Sequence, residues 1–293
     1  MLTIGVFDGV HLGHRQLFDY VKRQAMAKDY LPGVVTFRNH PLQVLSPQTH
    51  LLRLTGLEDR IRLLRGLGVE LVVPLSFTPE LAQLPARDFV ALLQKHLKMQ
   101  GLVVGPDFAL GRGREGDLFA LRSLGKENGF WVDVIPPKLI GGEVVSSTSI
   151  RQALSQGDMS KVRRFLGRPH VLSGQVGHGV ERGRQLGFPT ANLEVNSGQS
   201  LPSDGVYATR AHLGGHAYPS VANIGTRPTF GQGERAVEVY LLDFEGQLYE
   251  QELRVELIER LRAETRFSSP EELSAQIGKD VEQARLLLRK TET

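Results

Sequence analysis

Residues 7–14 read FDGVHLGH. Two imidazoles, His11 and His14, stand three apart with Gly13 between them, and Phe7, Asp8 and Gly9 lie just upstream. Three readings suit such a segment. A zinc site would need further ligands, for which Asp8 is available, but paired histidines on a helix favour a spacing of four. A phosphate site would use the free N–H groups and dipole of a following helix, with glycines for close approach and imidazoles donating to developing charge. The third reading is two incidental histidines at a turn. Position favours the phosphate, because the segment follows an apolar strand and precedes a helical pattern.

Two other stretches carry donors. Val145-Ser-Ser-Thr-Ser-Ile-Arg151 opens a helical pattern, and Ser147, Thr148 and Arg151 there would suit phosphate oxygens, although the same residues also make an ordinary helix cap. Residues 177–195, GHGVERGRQLGFPTANLEV, hold Gly177, Gly179, Gly183 and Gly187. So many glycines mark either a hairpin or a backbone that meets a ligand. No Gly-Lys-Ser/Thr follows, so this is not a Walker loop. Thr190 and Asn192 share one side of a strand, and their hard oxygens suit Mg²⁺. Glu238, in the apolar run VEVYL, is a surface carboxylate if it faces solvent and a general base for a hydroxyl if it faces the barrel mouth.

The elements that must position these groups fall into two halves. The first alternates strand and helix: LTIGVF (2–7), a helix over 14–29, GVVTF (33–37), a helix opened by a Thr55–Glu58 capping box, a strand at 70–75, a helix at 86–99, GLVVG (101–105), a helix at 116–128 and WVDVI (131–135). Repeated βαβ order predicts a parallel sheet with helices on both faces and ligands at the carboxyl ends of its strands. The second half shows short strands between turns, VLSGQV, ANLEV, GVYATRAHL, AYPSVANI, RAVEVYLLDF and LYEQELRVEL, the pattern of an antiparallel barrel or sandwich. A last helix opens at Ser269-Pro270-Glu271-Glu272, with Leu273, Ile277, Val281 and Leu288 on its apolar side. Gly167 and Pro169 place the boundary, giving domains 1–166 and 167–293.

Composition excludes several classes. The 293 residues include no cysteine, so disulfides and thiolate metal sites are out. No apolar run is long enough for a membrane span, and no secretory pattern opens the chain, so a cytoplasmic location is expected. The net charge of +3 conceals 21 Lys+Arg against 15 Asp+Glu in residues 1–165, and 14 against 17 in the remainder. The basic half would attract anions, but its charges are scattered, and nucleic acid is not an expected partner.

HLGH after a first strand resembles the H-x-G-H motif of the nucleotidylyltransferase superfamily, and SSTSIR resembles that superfamily's second motif. GFPTAN, with VANIGTRPTF (221–230) and LLDF (241–244), resembles riboflavin kinases. In this order, over essentially the whole chain, the motifs resemble the bacterial bifunctional riboflavin kinase/FMN adenylyltransferase (FAD synthetase) family. The resemblance implies an α/β fold: a Rossmann-like nucleotidyltransferase domain followed by a six-stranded antiparallel β-barrel with a terminal helix. It implies that the barrel makes FMN from riboflavin and ATP with Mg²⁺, and that the first domain makes FAD and pyrophosphate from FMN and ATP.

By the same resemblance, Phe7, Asp8, Gly9, His11, His14, Ser147, Thr148 and Arg151 would hold ATP in the first domain. Gly177, Gly179, Arg184, Gly187, Pro189, Thr190 and Asn192 would hold it in the barrel, Thr190 and Asn192 binding the metal. Asp107, Arg227, Arg260 and Arg266 would lie near flavin, and Glu238 would deprotonate the ribityl hydroxyl. The chain differs from many members at Asn39, Ala109, Leu110 and Ser149. The alternatives are a riboflavin kinase with an impaired first domain and a non-catalytic flavin- or nucleotide-binding regulator. Oligomeric state is not legible.

Overall fold

The computed structural model describes residues 1–49, 51–177, 187–196, 198–226 and 235–290. The chain divides into two compact units, Met1–Ser147 and Thr148–Thr293.

In the first unit β1 (Leu2–Ile4), β2 (Gly33–Phe37), β3 (Leu71–Leu75), β4 (Gly101–Val104) and β5 (Trp131–Val134) form a parallel sheet in the order β3-β2-β1-β4-β5. Around it lie α1 (Leu12–Ala27), α2 (Leu42–Leu45), α3 (Leu57–Gly66), α4 (Pro79–Gln83), α5 (Ala86–Leu97) and α6 (Leu118–Asn128). Alternate residues of the strands feed opposite faces, as the pleat requires. Leu2, Ile4 and Leu102 pack with Phe89, Val90 and Leu93 of α5 and Leu121 and Leu124 of α6. Met1 and Val103 pack with Val21 and Ala25 of α1, and Val34 packs with Phe18 of α1 and Leu64 of α3. The strand order reverses between β1 and β4, and at such a switch point ligands bind beyond the carboxyl ends of the strands. FDGVHLGH follows β1 there, and Asp107 follows β4. A small hairpin, β6 (Leu139–Ile140) and β7 (Glu143–Val144), completes the unit.

The second unit holds α7 (Ser147–Gln156), apart from its first residue, and α8 (Met159–Leu166). Its barrel comprises β8 (His170–Gly177), β9 (Ala191–Val195), β10 (Gly205–Leu213), β11 (His216–Thr226), β12 (Arg235–Leu241) and β13 (Glu252–Arg262). The barrel closes in the order β10-β11-β12-β9-β8-β13. The terminal helix α9 (Pro270–Lys290) lays Ala284 and Leu288 against Val206, Ala208, Val221 and Ile258. Its Asp280 is buried and takes a forked pair of bonds from Arg262 at 3.0 and 2.8 Å.

Several expectations need correction. β1 ends at Ile4, short of Phe7, because Phe7 turns into the left-handed region at φ 52°. Gly56, not Thr55, caps α3, with no side-chain cap; the Thr55 hydroxyl is spent on the Gly9 N–H. β12 stops at Leu241, before Asp243 at φ 57°, and β13 begins at Glu252 because residues 248–251 form a turn with Glu250 at φ 64°. The two compact units meet at 147/148 rather than at 166/167, since α8 packs on β8 and β13; this division by packing is separate from the functional boundary. Ser269 does cap α9, accepting from the Glu272 N–H at 3.3 Å, and the Glu272 carboxylate accepts from the Ser268 N–H.

Candidate functional sites

The turn between β1 and α1 is held against its own preferences. Gly9 at φ 81° is ordinary, but Phe7 at 52° and Val10 at 42° are not, and a β-branched residue there persists only when its surroundings insist. The surroundings do. The Asp8 carboxylate is buried at 4% exposure and accepts from the backbone N–H groups of Leu54 at 2.9 Å and Thr55 at 3.1 Å. The Gly9 N–H donates back to the Thr55 hydroxyl at 3.1 Å.

His11 is the N-cap of α1: its Nδ1 accepts from the His14 N–H at 3.3 Å, which in the neutral ring places the proton on Nε2. The two rings stack with centroids 3.5 Å apart, and Phe7 meets His14 edge-on at 5.2 Å. Burial first, then His11 and Arg60, hold His14 well below the ordinary histidine range, so this ring is neutral at pH 7. A neutral imidazole still donates from one nitrogen. The pair therefore offers polarised donors at a helix start without two adjacent positive charges.

The two N-terminal motifs meet within this unit. Ser147 donates from Oγ to the Asp8 carbonyl at 2.8 Å. A Cβ on Gly13 would sit 3.1 Å from the His11 ring and 3.2 Å from the Val145 carbonyl, tight contacts that favour the glycine inside HLGH. Thr148 and Arg151 continue the same helix. Asp107 is exposed beyond β4, and its carbonyl accepts from Arg114 at 2.7 Å. Two of the four positions of departure have structural uses. The Asn39 amide pairs twice with the Phe77 backbone, at 2.8 and 2.9 Å, and Leu110 is core.

In the barrel, Glu238 on β12 is half-buried and lies on the strand face opposite Val237 and Val239. Its face carries Ala236 and Tyr240, so it does not share the side of the buried valines. In register, Glu238 pairs with Asn192 on β9 and with Asn223 on β11, and Asn192 pairs in turn with Gly177 on β8. A row of polar groups therefore crosses three strands on one face. Phe188, from GFPTAN, packs edge-on against Tyr240 at 5.5 Å, which brings that motif to the same face. Gly187, Pro189 and Thr190 are exposed beside it.

Arg260 is turned to the fold: it donates to the Asp204 carbonyl at 2.7 Å, and Arg266 is exposed beyond β13. Gly179, Gly183, Arg182, Arg184 and Arg227 lie outside the described residues. Sequence reading missed Arg60, Thr55 and Asn223. Only Asn223 left a signal, its place in VANIG opposite Glu238.

The FAD synthetase family profile matches residues 1–149, and the riboflavin kinase profile matches 166–288. The bifunctional riboflavin kinase/FMN adenylyltransferase of Escherichia coli K12 is 41% identical over 282 residues, 96% of this chain and 90% of its own. Those of Pseudomonas fluorescens and Bacillus subtilis are 40% and 35% identical over 97% of this chain and 92% and 91% of theirs. The chain belongs to this bifunctional family. It is an enzyme with a riboflavin kinase half and an FMN adenylyltransferase half. A solved structure titled as a macrolide-efflux protein from Streptococcus pneumoniae shares the fold across 97% of this chain and 93% of its own, with TM-score 0.89 and 31% identity. No helix among the described residues of this bifunctional chain is long and apolar enough to cross a membrane.

Proposed function

We propose that the adenylyltransferase centre is the β1–α1 turn with Ser147, Thr148 and Arg151, and that the kinase centre is the polar row around Glu238. The domains divide functionally as 1–166 and 167–293. In the first centre an FMN phosphate oxygen attacks the α-phosphorus of ATP. The bond to the β-phosphate oxygen breaks and pyrophosphate leaves. His11, His14, Ser147, Thr148 and Arg151 hold the phosphates, and Phe7, Asp8 and Gly9 shape their cradle. No side chain becomes covalently attached, so catalysis rests on position and charge. The observation that carries this assignment is the bond from Ser147 to the Asp8 carbonyl, which joins the two motifs.

In the second centre Glu238 takes the proton of the ribityl 5′-hydroxyl, whose oxygen attacks the γ-phosphorus as ADP leaves. Gly177, Gly187 and Pro189, with Gly179 and Arg184, frame the nucleotide, and Arg227, Arg260 and Arg266 are the flavin-side candidates there; Asp107 is a flavin-side candidate of the first centre. Thr190 and Asn192 would hold Mg²⁺. Their neutral oxygens beside a carboxylate fit an ion that keeps waters and takes most of its ligands from phosphates, and no cluster of three His, Asp or Glu suited to a metal is found among the described residues. The ion would neutralise phosphate charge. The work is assigned to the cytoplasm, where ATP is supplied, with small molecules rather than nucleic acid or membrane as partners.

Incubating the purified chain with riboflavin, ATP and Mg²⁺ tests the reading. FAD is the expected product. FMN alone would mean that the first domain is impaired, and no product would mean a binding protein.

A further inference from the structure

We propose that Arg60 is a positioning residue for adenylyl transfer, fixing from beneath the turn that carries His11 and His14. The inference rests on the assignment of that turn to the adenylyltransferase centre. Arg60 projects from α3 with 2% of its surface exposed. One guanidinium nitrogen donates to the Val6 carbonyl, and the other donates to the Phe37 carbonyl at 2.9 Å. Val6 lies just beyond β1 and Phe37 is the last residue of β2. The parallel ladder between these strands ends at Ile4 and Val35, with one further bond from the Gly5 N–H to the Val35 carbonyl. A single planar fork therefore spans the two strand ends where the sheet's own bonds have run out.

The carbonyl it holds is the one that matters for the turn. Val6 immediately precedes Phe7, where the chain enters the left-handed region, and the Thr36 hydroxyl also donates to this carbonyl at 3.1 Å. Downstream, Asp8 is fixed by Leu54 and Thr55, Gly9 by Thr55, and the Asp8 carbonyl by Ser147. Arg60 anchors the entry to this strained segment and the other bonds anchor its middle.

A buried guanidinium is costly unless paired, and an apolar side chain of similar volume would fill the space more cheaply. What arginine adds is two donors in a fixed plane and a charge. Burial lowers the Arg60 pKa from its ordinary value, and Asp8 is the carboxylate whose field works against that shift. The guanidinium charge helps to keep the His14 ring neutral, after burial and His11. None of this chemistry touches substrate, so Arg60 acts through the loop.

Arg60→Met and Arg60→Lys in the full chain test the proposal. FAD formation from supplied FMN and ATP is measured as kcat and KM, beside FMN formation and the melting curve. A loop displaced by about an ångström loses roughly ten- to a hundredfold in rate. The expected result is a fall of that size in kcat for Arg60→Met, with KM for ATP changed less than about threefold, partial recovery in Arg60→Lys, and unchanged kinase activity. A lower melting temperature with wild-type kcat in the folded protein would overturn it, reducing Arg60 to packing.

If Arg60→Met does not fold, Arg60→Lys decides alone, because it keeps the charge and loses the fork. Reduced kcat with faster amide exchange at Val10, whose N–H bonds to the Phe7 carbonyl, supports the proposal; wild-type values contradict it. His14→Ala is run in parallel. FAD formation surviving that change would mean that the site assignment itself is wrong. Its loss with Arg60→Met fully active would sink only the present inference.

Discussion

His170 enters the barrel at the first position of β8, 2% exposed, with Nε2 3.2 Å from the Ser200 carbonyl. Burial outweighs that bond and lowers its pKa to about 4, against an ordinary value of 6.5. Between these values the unfolded chain binds the proton and the folded chain does not, so stability falls as pH falls. The contribution is complete above pH 6.5 and lost by pH 4. It amounts to about 2 kcal/mol by pH 5 and about 3 kcal/mol in all, at 1.4 kcal/mol per unit. Urea unfolding at pH 7.5 and 5 should therefore show a smaller loss on acidification in His170→Gln than in the wild type; equal losses would exclude this histidine as the cause. Nothing in the sequence separates His170 from an exposed histidine after a proline, just as nothing separates Arg60 from the other arginines of LEDRIRLLRG. His11, His14 and Ser147 could be nominated from sequence because each stands in a short motif whose residue types suit a phosphate site. Burial of a lone charge is set by neighbours far along the chain.

β9 and β10 run over the residues read from sequence, ANLEV and GVYATRAHL, because alternation and flanking turns bound them on both sides. Three of the misplaced strand ends, the last residues of β1 and β12 and the first of β13, lie within three residues of a non-glycine residue at positive φ, at Phe7, Asp243 and Glu250. Apolar residues near those points continue the pattern after the backbone has turned, so periodicity overruns. The Thr55 capping box failed for a related reason: its hydroxyl is claimed by a residue 46 positions away. Gly174, inside β8, looks like a weak point in a strand but is required by packing. A Cβ there would overlap the Glu194 carbonyl oxygen on the paired strand β9. Gly174→Ala should destabilise the barrel by about 2 kcal/mol or more, since backbone rather than a flexible side chain must move. The melting temperature of the kinase half checks this; an unchanged value would mean that β8 and β9 separate without cost.

Across the whole chain, the change from βαβ to antiparallel patterning was readable and corresponds to the parallel sheet and the closed barrel. The barrel's strand order was not, because β9 pairs with β12 and β13 with β8 across long segments of sequence. Alternation sets Glu238 opposite Val237 and Val239, but it does not say which side of a barrel strand is filled, so the surroundings of Glu238 were not legible. Residues and spacing indicated two phosphate-handling centres; flavin came from the family resemblance, which the relatives in three bacterial species bear out. The central claim is that these centres act separately on one chain. The most direct measurement assays His14→Ala and Glu238→Gln with riboflavin plus ATP, and separately with FMN plus ATP. His14→Ala should accumulate FMN from riboflavin at nearly the wild-type rate and make no FAD from either substrate. Glu238→Gln should make FAD from supplied FMN and nothing from riboflavin. Loss of both activities in either folded variant would contradict the account.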